Sequence, residues 1–154
     1  MTADLKDRWF DDFTVGEQLA FGDYLITEEE IVDFARRYDP QPFHLDHEAA
    51  RASHFGGLVA SGWMTSSVLM RLMVDHFIPR QASMGSPGVD EIRWLKPVRP
   101  GDRLSARLEV ADCVPSRSKP DRGVVHTRWQ VLNQDGEVVM TMRGMGMYRR
   151  RPAA

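Results

Sequence analysis

Two periods divide the chain. From Thr27 to Phe77 apolar residues recur at helical spacing, and from about Val89 onward they alternate with polar ones, as strands require. Ile31, Phe34, Ala35 and Tyr38 follow the capping-box pair Thr27 and Glu30 at i, i+3, i+4 and i+7, which predicts a helix up to the break at Asp39-Pro40. Asp46 is placed to cap a shorter helix through Ala49, Ala50 and Ala52 that stops near Gly56-Gly57, a pair read as a turn. A third helix is predicted to start at Ser61-Gly62, with Ser61 as its N-cap, and to end before Pro79. Thr65, Val68, Leu69, Leu72 and Met73 share one face of it. Its other positions include Trp63, Met64, Met70 and Val74, so the helix is expected to be buried nearly all round, with Trp63 and the methionines in the core.

The second half offers strands at Val89–Leu95, Leu104–Val110, Val125–Val131 and Val138–Tyr148, and the first half one more around Leu19–Ile26. Pro100-Gly101-Asp102 and Asn133-Gln134-Asp135-Gly136 supply turns, and the polar, basic stretch Pro115–Arg122 reads as a long hairpin tip. Helices followed by antiparallel strands predict an α+β domain over residues 1–154, with the sheet curling around the apolar helix.

Composition narrows the partners. The chain has 154 residues, 42% of them hydrophobic, enough to build one core without cross-links. A net charge of −2 gives no reason to expect nucleic acid, and Arg149-Arg150-Arg151 reads as a solvated tail. Cys113 is the only cysteine, so no intrachain disulfide can form. No segment has the pattern of a signal peptide or the roughly 20 apolar residues of a membrane span, so the expectation is a cytoplasmic protein away from membranes.

The candidate chemistry sits in Tyr38-Asp39-Pro40-Gln41-Pro42-Phe43-His44-Leu45-Asp46. Two prolines bias Asp39 and Gln41 toward extended backbone and hold a carboxylate and an imidazole near each other in a stiff loop. These two groups accept, donate and share protons near neutral pH, as an addition or elimination of water requires. A second element is the start of the third helix, where first-turn N–H groups are unpaired and Gly62 has no Cβ. Its amide, with that of Trp63 next, is the predicted site for negative charge on a substrate oxygen. His44, Asp46, His47 and His54 form no H-x-x-x-H or Cys/His pattern, so no metal site is expected. Lys96, Arg99, Arg103 and Arg117 are basic enough for phosphate, although surface charge accounts for each of them singly.

Three segments carry a resemblance. Tyr38 to Asp46 with Ala49-Ala50 resembles the signature of MaoC-like dehydratases and (R)-specific enoyl-CoA hydratases, which runs Asp, x, Asn, Pro, aliphatic, His, x, Asp or Glu. Asp39, Pro42, His44 and Asp46 fall in register, and the likeness continues through Phe55–Gly62 and Gly88–Asp102. The resemblance implies a hot-dog fold, a homodimer, and hydration of a trans-2-enoyl-CoA or the reverse dehydration of an (R)-3-hydroxyacyl-CoA. It implies Asp39, His44 and Gly62 as catalytic residues, Gln41, Phe43, Ser61 and Trp63 as substrate-binding residues, and no cofactor beyond the CoA thioester. The chain departs from the family at Gln41, where Asn is frequent, and at Ser61, where His is frequent. Two other readings remain at this level: a hot-dog thioesterase that directs water to the thioester carbonyl, and a module that binds acyl-CoA without turnover.

Overall fold

The structure, a computed structural model, describes residues 4–153. Two short 3-10 turns, Leu5–Asp7 and Phe10–Asp12, lead into β1 (Gln18–Leu25), followed by α1 (Glu28–Tyr38), α2 (Pro42–Leu45), α3 (His47–Ala52) and α4 (Gly62–His76). Four strands complete the chain: β2 (Val89–Trp94), β3 (Arg103–Pro115), β4 (Arg122–Leu132) and β5 (Val138–Arg149). They form one antiparallel sheet in the order β1-β3-β4-β5-β2.

The caps read from the sequence form. Thr27 accepts from the Glu30 N–H at 3.2 Å, and Asp46 accepts from the Ala49 N–H at 3.0 Å. Only half of the Thr27/Glu30 box closes, because the Glu30 carboxylate instead accepts from the Tyr24 hydroxyl at 2.8 Å, tying α1 to β1. Both predicted turns are present, with Gly101 and Gly136 at positive φ, and the loop between β3 and β4 falls where the polar stretch predicted it.

The sheet buries one face. Leu104, Ala106, Leu108 and Val110 of β3 alternate with more exposed neighbours, as do Val125, Thr127, Trp129 and Val131 of β4. Met64, Val68, Leu69 and Leu72 of α4 pack into this face around Trp129 and Phe77, whose rings meet edge to face at 5.3 Å. A bulge in β1 brings Gly22 to φ +95° under the Leu72 side chain, where a Cβ would lie 2.8 Å from a Leu72 methyl carbon. A long helix laid across a curved antiparallel sheet is the hot-dog fold.

One expectation is overturned at α4. The helix is covered on the sheet side but open on the other, where Trp63, Met70 and Val74 are 58%, 47% and 45% exposed. One five-stranded sheet is too narrow to enclose the helix, so Trp63 and Met70 are not core residues of a single chain. The opening turns were not anticipated either: Phe10 and Phe13 enter the core from a stretch too short and mixed to show a period.

Candidate active site

Asp39 ends α1. Its N–H still donates to the Ala35 carbonyl at 2.9 Å, and Pro40 then stops the helix. Gln41 is extended, as a residue before proline should be, but the segment does not stay extended. Pro42 occupies the first position of a helical turn, α2, where its fixed φ and missing N–H suit it. This turn swings His44 inward to 5% exposure beside the Phe43 ring and brings its Nε2 within 3.2 Å of Asp39 Oδ2.

The tautomer follows from a backbone contact. His44 Nδ1 lies 2.6 Å from the Val59 carbonyl oxygen, which can only accept, so the ring hydrogen is on Nδ1. In a neutral imidazole a bare Nε2 then faces a carboxylate oxygen. Two acceptors at 3.2 Å call for a proton between them or for a water that donates one hydrogen to each. Burial pushes the Asp39 carboxyl up, but hydrogen bonds from Gln41 and Ser61 and the nearby His44 outweigh it, and Asp39 sits below the usual carboxylate range. The Gln41 side-chain amide donates to Asp39 Oδ1 at 2.6 Å. Oδ2 is left for His44 or water.

The start of α4 supplies the opposite charge preference. Ser61 Oγ accepts from the Trp63 N–H at 3.3 Å, and the Ser61 carbonyl accepts from Met64 and Thr65. Among the described residues nothing accepts from the Gly62 N–H, so this amide is open at the positive end of the helix. The predicted second amide, that of Trp63, is already used by the cap. Gly62 lacks a Cβ for a reason other than substrate approach: the Trp94 indole lies over it, and a Cβ would come within 2.6 Å of that ring. Trp94 meets Trp63 edge to face at 5.1 Å and donates from Nε1 to Ser66 Oγ at 3.3 Å.

These parts share one cavity of about 450 Å³, walled by Asp39, Gln41, Phe43, His44, Ser61 and Gly62, with Trp63 and Trp94 at its mouth. All seven predicted site residues line it. The other singled-out groups do not converge there. Asp46 caps α3, His47 pairs with Glu28 of α1, and His54 lies on the Phe55 ring. Among the basic residues only Lys96 reaches the cavity, and it pairs with Glu137; Arg99 donates to the Phe55 carbonyl at 2.6 Å and Arg103 pairs with Asp23. Two participants escaped the sequence reading. Val59 acts through its backbone, which no residue type signals, and Trp94 lies in a strand whose pattern marks it only as large and apolar.

A family model described as the MaoC like domain matches residues 12–131. The chain belongs to the MaoC-like family. A MaoC-like dehydratase from Rhodospirillum rubrum is 42% identical, covering 95% of this chain and 99% of its own, with a TM-score of 0.88. The 3-hydroxyacyl-thioester dehydratase Z of Mycobacterium tuberculosis is 34% identical over 59% of this chain and 62% of its own length. The (R)-hydratase PhaJ1 of Pseudomonas aeruginosa, 24% identical, shares the fold over 93% of this chain and 86% of its own, with a TM-score of 0.74. This MaoC-like chain thus stands in a family of hydro-lyases whose members carry the names dehydratase and hydratase. Its own departures are Gln41, whose side-chain amide donates to the Asp39 carboxylate, and Ser61, which caps α4, and both line the cavity.

Proposed function

We propose that this MaoC-like domain hydrates a trans-2-enoyl-CoA to the (R)-3-hydroxyacyl-CoA and catalyses the reverse dehydration. The observation that carries the reading is the pairing of Asp39 Oδ2 with a His44 Nε2 stripped of its hydrogen by Val59, in one cavity with the open Gly62 amide. A water held by both acceptors presents a lone pair to Cβ. Its oxygen bonds to Cβ, one of its protons passes to the pair, and the pair returns a proton to Cα as the double bond is lost. Negative charge gathers on the thioester oxygen during this step, and the Gly62 N–H meets it. Gln41 holds the carboxylate, Phe43 backs the imidazole, and Trp63 borders the route by which the acyl thioester enters. The reaction calls on no cofactor beyond the thioester itself.

Purified protein is expected to hydrate crotonyl-CoA or a longer enoyl-CoA, followed by loss of the enoyl absorbance. Asp39→Asn and His44→Ala are each expected to lower the rate by at least about 100-fold. Full turnover in both variants would sink the assignment. Release of free CoA thiol would instead favour hydrolysis of the thioester, and tight binding without turnover a binding role.

A second copy of the chain completes the proposal. Trp63, Met70 and Val74 form an exposed apolar stripe on α4, and β2, whose Val89 and Trp94 are also exposed, is an edge strand with one side unpaired. A homodimer that covers both removes the apolar exposure at once.

A further inference from the structure

On β5 the residues that alternate toward α4 are Met142, Gly144, Gly146 and Tyr148. Where side chains would fill the core, the two glycines leave a second cavity of about 180 Å³, roofed by Leu69 and Met73 of α4. It opens between Met70 and Val89, which are 47% and 50% exposed. The Tyr148 phenol reaches back over Gly146, where a Cβ would lie 2.7 Å from its oxygen, and Phe13 stacks on its ring at 5.1 Å. Five hydroxyls line the cavity. Ser66, Ser83, Ser86 and Thr127 each have a partner within 3.4 Å. Tyr148 is 4% exposed, and among the described residues its hydroxyl has no partner. A buried donor left unpaired is costly, and here it stands beside space for an acceptor.

We propose that this cavity is a ligand site for a neutral, mainly apolar group with one hydrogen-bond-accepting oxygen, such as a ketone, ether or ester, which accepts from the Tyr148 hydroxyl. The apolar walls exclude a charge, which a single phenol could not compensate. Burial pushes the Tyr148 pKa up, so the phenol stays a neutral donor. The size suits a small ring or chain end, since an apolar cavity of about 150 Å³ takes up benzene. Binding alone defines the site, so the proposal does not rest on the hydratase reading. Two sources share this chemistry: a free molecule, or the far end of an acyl chain whose thioester lies in the first cavity. Val89 and Trp94, at the two mouths, stand at opposite ends of β2, about 17 Å apart at strand spacing. An extended chain gains about 1.2 Å per bond, so only an acyl chain of about 14 carbons or more spans that distance.

The test is an amide NMR titration of the full chain with cyclohexanone and with toluene, a probe of similar size without an oxygen. Both are expected to shift the Gly144 and Gly146 amides saturably. Tyr148→Phe is expected to weaken cyclohexanone about fivefold and to change toluene by less than about twofold. Gly144→Val fills the cavity from its floor, where a Cβ meets nothing closer than 3.3 Å, and is expected to abolish binding of both probes. This second variant decides the case should Tyr148→Phe not fold. No saturable shift with cyclohexanone up to about 50 mM, an equal Kd in a folded Tyr148→Phe, or undiminished binding in Gly144→Val would each overturn the proposal. Displacement of cyclohexanone by tetradecanoyl-CoA but not by butanoyl-CoA would assign the site to an acyl tail, and displacement by neither to a free molecule. Displacement by butanoyl-CoA would put the probe in the first cavity and overturn the proposal. A wild type inactive on every enoyl thioester would refute the hydratase reading and leave these binding results as they stand.

Discussion

Gly62 is confined by Trp94. A methyl group there would sit 2.6 Å from the indole, so Gly62→Ala is expected to push Trp94 aside, lower activity and cost about 1–3 kcal/mol in urea unfolding. In a Trp94→Ala background the same change is expected to cost clearly less, and equal costs in the two backgrounds would show that Trp94 is not the obstacle. At Gln41 the effect is electrostatic. Its amide donates to Asp39, whose carboxyl is raised by burial and lowered more by Gln41, Ser61 and His44. Removing the donor in Gln41→Ala lets the Asp39 pKa climb, so activity that needs the carboxylate is lost at higher pH as the solution is acidified. An unchanged acid limb of kcat/KM would count against this account.

Among the elements, α2 is too short to be stable on its own, since a single turn does not overcome the cost of helix nucleation. It persists because Pro42 presets its first residue, Asp46 leads at once into α3, and both the His44 ring and the Phe43 carbonyl bond to Val59. The acid/base pair is therefore a tertiary product of α1, α2 and the strand-like segment before α4. The bulge in β1 is a comparable device. Gly22→Ala would place a side chain at φ +95° against Leu72, with an expected loss of about 1–3 kcal/mol read from chemical unfolding, whereas a mutant as stable as the wild type would mean that β1 and α4 re-pack freely.

For the whole molecule the open face of α4 is the deciding feature. The proposed homodimer is expected to run at twice the chain mass in analytical ultracentrifugation. Val74→Glu, with a charge at the C-terminal end of the exposed stripe, is expected to shift it toward monomer while leaving the secondary structure in place. A wild type that sediments as a monomer would remove the reason given for the stripe. No helix among the described residues is long and apolar enough to cross a membrane.

Local rules were enough to read much of this chain. Periodicity marked α1, α4 and the five strands, cap residues marked the helix starts at Thr27, Asp46 and Ser61, and residue chemistry singled out Asp39 and His44 on one proline-containing segment. Tertiary structure decided the rest. The Val59 carbonyl that orients His44, the indole that requires glycine at position 62, and the face of α4 left uncovered all depend on residues far apart in sequence. A hydrophobic pattern records that a helix is apolar, but only the width of the sheet decides how much of it one chain can bury.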